Sequence, residues 1–132
     1  RRPERWNHLP SWLALKSSEI DFVVPELRQH ARVEVRQEDL LEEPDATERY
    51  DVIRAANILN RCYFSGEQLT CAIRNLARRL SPDGILVICS TSHDELNHAS
   101  AFRNSCGRLV LVARLRDGAE VESIASDTPC IA

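Results

Sequence analysis

Apolar residues recur along this chain with two different periods. Leu69, Ala72, Ile73, Leu76 and Leu80 fall at i, i+3, i+4, i+7 and i+11, the stripe of a helix with one buried face. Ser65 and Gln68 have the spacing of a capping box, so the helix starts after Ser65. Before it, Tyr50–Ala56 reads as a strand built on Val52 and Ile53. After it, Pro82 and Gly84 break the helix, and residues 85–89 are apolar on both faces, as in a covered central strand. Strand, helix and strand together form the crossover unit of a parallel sheet. Such sheets bind ligands beyond the carboxyl ends of their strands, which places Ala55, Ala56 and Asn57 at a candidate site.

The flanks are less regular. Residues 1–10 are polar, carry Pro3 and Pro10, and read as a loop. From Ser11, a plausible N-cap, Leu13, Ser17, Ile20, Val24 and Leu27 form a helical stripe. Pro25 should kink or restart that helix near Val24. Residues 32–36 alternate through Val33 and Val35, the pattern of a short strand near a sheet edge. Residues 42–49 are an acidic connector, read as a solvated loop. Ser92 and Glu95 suggest a second capping box, leading a short helix with Leu96, Ala99 and Phe102. Residues 109–115 and 121–125 read as two strands joined through Asp117-Gly118, a favoured hairpin turn. The expected order is helix, strand, strand, helix, strand, helix and a closing antiparallel hairpin.

Composition narrows the functional classes. The 132 residues are 43% hydrophobic and 28% charged, enough for a single domain with a core. A net charge of −3 does not suggest a partner among nucleic acids or anionic membranes. The longest wholly apolar runs span residues 85–89 and 109–113, too short for a membrane span or the core of a signal peptide. Five cysteines without a C-x-x-C pair read as reduced thiols of a cytoplasmic protein. The absence of Met and the start at Arg1-Arg2-Pro3 suggest a processed protein or a piece of a longer chain. His93 and His98, five apart, do not share a helical face, and no metal site is expected. Cys62 and Cys71 read as buried small hydrophobes rather than nucleophiles. Ser90, Ser92 and His93 lack the Gly-x-Ser-x-Gly elbow of a hydrolase.

The order of elements resembles the second half of the class I S-adenosylmethionine-dependent methyltransferase fold, whose sheet ends in an antiparallel hairpin. Val35-Arg36-Gln37-Glu38-Asp39-Leu40 resembles that family's third strand and acidic turn. Leu80-Ser81-Pro82-Asp83-Gly84-Ile85-Leu86-Val87-Ile88 resembles its Leu-x-Pro-Gly-Gly entry into the fifth strand, with Asp83 in place of a glycine. Residues 50–69 resemble the CheR-type protein-glutamate methyltransferases through Asn57, Leu59, Tyr63, Phe64 and Gln68, with two extra residues before Tyr63. The arginine expected before Asn57 is Ala56, and no glycine precedes Gly66. The glycine-rich first loop of the family is therefore missing, and on this alignment the chain begins just after that half of the site.

The resemblance implies an α/β fold: a partial Rossmann-like methyltransferase domain over residues 1–132, with a mostly parallel sheet ending in an antiparallel hairpin and helices on both faces. It implies S-adenosylmethionine as cofactor and transfer of a methyl group to an unknown acceptor, a protein carboxylate in the CheR-type case. Asp39 would accept a hydrogen bond from the adenine, with Leu40 packed on the ring; the alternative is that Asp39 only caps a turn. Ala55, Ala56 and Asn57 would border the cofactor, and Tyr63 and Phe64 would wall the pocket or join the core. For Asn57 the alternative is a turn residue closing its strand. The transfer needs alignment more than acid–base chemistry, so no catalytic residue is named. The missing loop leaves a second expectation, a degenerate methyltransferase-like module acting as a binding or scaffold domain. Strands lost from the sheet would leave exposed edges and favour a homo-oligomer.

Overall fold

The computed structural model describes residues 23–45, 47–93 and 95–128. The chain divides into two units between Gln37 and Glu38. In the first, α1 (Pro25–Gln29) starts at Pro25, with Val24 in the N-cap position. Proline suits a first helical position because its missing N–H has no intrahelical acceptor there. A helix start near Val24 is therefore present, whereas the predicted stretch from Ser11 to Phe22 lies outside the described residues. Residues 32–36 are not a strand: Val33 and Val35 are exposed and no sheet partner flanks them. Alternation alone supplies neither the ladder bonds nor the buried face that a strand needs.

The second unit is built on one four-stranded sheet. Its elements are β1 (Tyr50–Ala56), α2 (Gly66–Arg78), β2 (Leu80–Thr91), β3 (Asn97–Ser105), β4 (Arg108–Leu115) and α3 (Glu122–Asp127). The strands lie in chain order, β1-β2-β3-β4. β1 and β2 are parallel, while β2–β3 and β3–β4 are antiparallel. The fold is thus α/β with a mixed sheet, and the expectation of a mostly parallel one is corrected: only the pair joined by α2 is parallel. Every later connection is too short for a crossover, which needs a dozen or more residues.

Two further expectations are overturned. The segment with Leu96, Ala99 and Phe102 is not a helix: Leu96 immediately precedes β3, and Ala99 and Phe102 lie in it. Ser100 and Phe102 are fully buried on one face, alternating with half-buried Ala99 and Ala101; period two prevails because β2 supplies a complete ladder. Residues 121–125 are not a strand; α3 begins at Glu122. Val121, Ile124, Ala125 and Thr128 are spaced i, i+3, i+4 and i+7, and all pack inward. The antiparallel hairpin is accordingly β3–β4. Ser105 pairs with Arg108 across a two-residue loop, Cys106-Gly107, with φ of 50° and 80°. Positive φ at both positions matches the type I′ turn, whose twist suits a hairpin.

α2 forms as its sequence demands. Ser65 accepts from the Gln68 amide at 3.2 Å, and Gln68 accepts from the Ser65 amide at 2.9 Å. Leu69, Ala72, Ile73 and Leu76 are buried, as is Leu80 just beyond the helix. They pack with α3 on the sheet face carrying Ala55, Leu86, Ile88, Phe102 and Leu109, forming one core. Both helices of this unit therefore lie on the same face, so within it the expectation of helices on both faces is corrected. The opposite face consists of three cross-strand rows. They are Val52-Ile85-Arg103-Val110, Arg54-Val87-Ala101-Ala113 and Ala56-Cys89-Ala99-Leu115. None of these side chains is fully buried.

The Pro82–Gly84 break acts inside β2 rather than before it. Tyr50 pairs with Leu80 but Val52 pairs with Ile85, so residues 81–84 bulge out of the ladder. A Cβ on Gly84 would lie 2.9 Å from the Ser81 carbonyl oxygen and 3.1 Å from that of Tyr50. The bulge therefore requires glycine at its return. Asn104 of β3 holds it from the side, donating to the Ser81 carbonyl at 3.2 Å.

Candidate functional site

The carboxyl end of the parallel pair is where chemistry is expected. β1 stops at Ala56 because Asn57 turns left-handed, with φ 56°, a conformation that Asn tolerates better than most residues. Its amide donates to the Cys89 carbonyl at 2.9 Å, and its side-chain oxygen accepts from the Thr91 amide at 2.8 Å. Asn57 thus ties the ends of β1 and β2 together. Ala55 and Ala56 alternate, Ala55 buried in the helix-side core and Ala56 half-buried on the opposite face. Beyond them, Leu59 is buried, Phe64 packs on the core, and Tyr63 is 79% exposed. Phe64 takes the core role, and Tyr63 stands in solvent.

Asp39 and Leu40 lie elsewhere. Asp39 accepts from the Leu41 amide at 2.9 Å through its side chain and from the Glu42 amide at 3.2 Å through its carbonyl, closing its own turn. The turn is held on the C-terminal half of α2. Asn75 donates to the Leu40 and Glu42 carbonyls, both at 2.9 Å. Arg79 pairs with Glu38, and Arg78 with Glu43 at 2.7 Å. α2 starts at the carboxyl end of β1 and finishes at the amino end of β2. Asn75 lies about 15 Å along its axis from Ser65. Ala55, Ala56 and Asn57 are therefore together at one end of the crossover, and Asp39 and Leu40 are anchored toward the other.

A polar cluster not anticipated from the sequence joins β3, β4 and α3. Ser100, fully buried, donates to Glu122 and accepts from the Ala119 amide at 2.8 Å. Arg114 makes a two-pronged ion pair with Glu122, one prong at 2.9 Å. The Arg114 guanidinium, then the Ser100 hydroxyl, hold the Glu122 carboxyl below its ordinary pKa, and the same pair raises that of Arg114. With its pKa lowered and its oxygens already accepting from Arg114 and Ser100, Glu122 is a weak base toward the Ser100 proton. The arrangement is a clamp. Ser100 among apolar neighbours was the only sequence sign of it; Arg114 and Glu122 are eight apart with no regular element between them.

His98 lies beside this clamp, mostly buried. Its Nδ1 is 3.7 Å from an Asp117 carboxylate oxygen, beyond hydrogen-bond range, and its buried Nε2 has no hydrogen-bond partner among the described residues. Among the described residues no hydroxyl or thiol hydrogen-bonds Nε2, so the pair does not continue to a nucleophile there. His93 is exposed. Among the described residues, no group of three or more His, Cys, Asp or Glu could hold a metal ion, and no helix is long and apolar enough to cross a membrane. The chain matches no protein-family model, and no curated protein matches it in sequence.

Proposed function

We propose that this chain is a methyltransferase-like, Rossmann-related module without catalysis, serving as a binding or scaffold domain. The observation that carries the reading is the separation of the two groups a cofactor would bridge. Asp39 and Leu40 are fastened to the C-terminal half of α2 by Asn75. Asn57 stands at the opposite end and commits its side-chain oxygen to Thr91. Of the five residues expected to hold the cofactor, only Ala55, Ala56 and Asn57 lie beside the crevice beyond the strand ends. The reading places the chain in the cytoplasm, where thiols such as Cys62 and Cys71 stay reduced.

Titration calorimetry with S-adenosylhomocysteine tests it. The expected result is no heat and no thermal shift at millimolar ligand. Saturable heat would overturn the reading and favour a second one, S-adenosylmethionine-dependent methyl transfer to an acceptor such as a protein carboxylate. That second reading is supported by the β1–α2–β2 crossover, which sets small residues and an Asn at its carboxyl end. It further requires transfer of a labelled methyl group to an acceptor.

A further inference from the structure

The sheet face opposite α2 and α3 combines apolar exposure with charge of one sign. Val52, Val110 and Leu115 are exposed by 63%, 48% and 52%, far more than the corresponding positions on the helix-side face. The only charged residues in its three rows are Arg54 and Arg103, and neither forms an ion pair with a described residue. No Asp or Glu lies in these rows, although the whole chain carries a net charge of −3. The cations are therefore concentrated against the overall balance of the molecule.

Their placement selects a shape. Arg54 is on β1 and Arg103 on β3, so they stand on either side of β2, two strand spacings across and two residues along, about 12 Å apart. Between them, β2 presents Ile85, Val87 and Cys89 along one line. Three rows at two residues each extend about 14 Å along the strands, the length of roughly three helical turns. A second copy of the chain stacked on this face would bring arginines toward arginines, a like-charge arrangement that disfavours association.

We infer that this face docks an amphipathic helix of a partner protein, its apolar stripe over β2 and its flanking carboxylates paired with Arg54 and Arg103. The inference rests on the reading of the chain as a binding module and names the partner's chemistry. Surfaces of this kind recognise helices through apolar anchors at i, i+3, i+4 and i+7, while charge sets partner choice.

The test uses the whole chain and two fluorescent synthetic peptides of about four helical turns. Both carry Leu at the anchor positions; one has Glu on both flanks, the other Lys. Anisotropy titration is expected to show the Glu peptide binding about tenfold tighter, with the preference weakening in high salt. The Arg54→Glu/Arg103→Glu double variant, checked for native circular dichroism, should reverse the preference. Val52→Ser, which leaves both arginines in place, should weaken both peptides alike. Equal binding of the two peptides, an unchanged preference in the double variant, or concentration-dependent self-association that excludes the peptide would overturn the inference. Heat with S-adenosylhomocysteine alongside an intact Glu preference would sink the non-catalytic reading and leave the docking face standing. Loss of the preference without such heat would sink the docking face alone.

Discussion

Gly118 sits where three side chains converge. Its φ is +82°, and an added Cβ would collide with Glu122, lying also 2.9 Å from Ser100 Oγ and 3.1 Å from Arg114 Nε. Gly118→Ala therefore strains the backbone and pries the clamp apart at once. We expect a loss of about 2–4 kcal/mol in urea-unfolding free energy; a loss under about 0.5 kcal/mol would show that the clamp yields freely. Dipeptide pattern marked Asp117-Gly118 as a turn, and the chain does turn there, but toward α3 rather than into a second strand. The same limit applies at Asp39, whose carboxylate serves its own turn. A carboxylate after an alternating stretch looks identical whether it meets a ligand or the next backbone amide, because the choice is made by what packs around it. Here Asn75, thirty-five residues further along the chain, fixes the Leu40 carbonyl.

Among the elements, those whose patterning and end chemistry agree were readable. β1, α2 and the core of β2 stand where the sequence placed them, and the Ser65–Gln68 box is fully formed. Ser65→Ala should lower stability by about 1 kcal/mol, measured as a shift in urea midpoint, while Ser65→Asp should restore most of it. A silent Ser65→Ala would mean that packing alone sets the start of α2. The misread elements share a cause. Around β3, Leu96, Ala99 and Phe102 happen to sit three apart, while the strand's inward residues include the polar Ser100 and Asn104. In α3, Val121 and Ile124 look β-prone, yet the helix needs only one turn of inward spacing against β4 and α2. Short segments carry too few periods to decide, and tertiary partners decide for them.

Across the whole molecule, the Arg114–Glu122 pair makes stability depend on acid. The Glu122 carboxyl is held below its ordinary value of 4.5, so the folded state binds its proton less readily than the unfolded chain does. The stabilisation is fully present above that ordinary value and is lost as pH falls through the lowered folded value. Urea midpoints recorded during acidification should decline over this window, and Glu122→Gln should flatten that part of the profile. A wild-type curve that matches the Gln variant throughout would remove the pair from the account.

The chain-order arrangement of the strands has a consequence for how the sheet assembles. β3 and β4 meet through a two-residue turn, and β2 reaches β3 across a short link. Such local pairings close within about 1–10 microseconds. β1 must wait for α2 to form and lay the chain back across the sheet before its parallel ladder can zip, a slower and less local event. It is joined to the sheet by one neighbour in an interrupted register and fastened at its far end by Asn57. β1 is thus expected to pair last, and its amino end, beside the interrupted register, to open before the carboxyl end that Asn57 ties to β2.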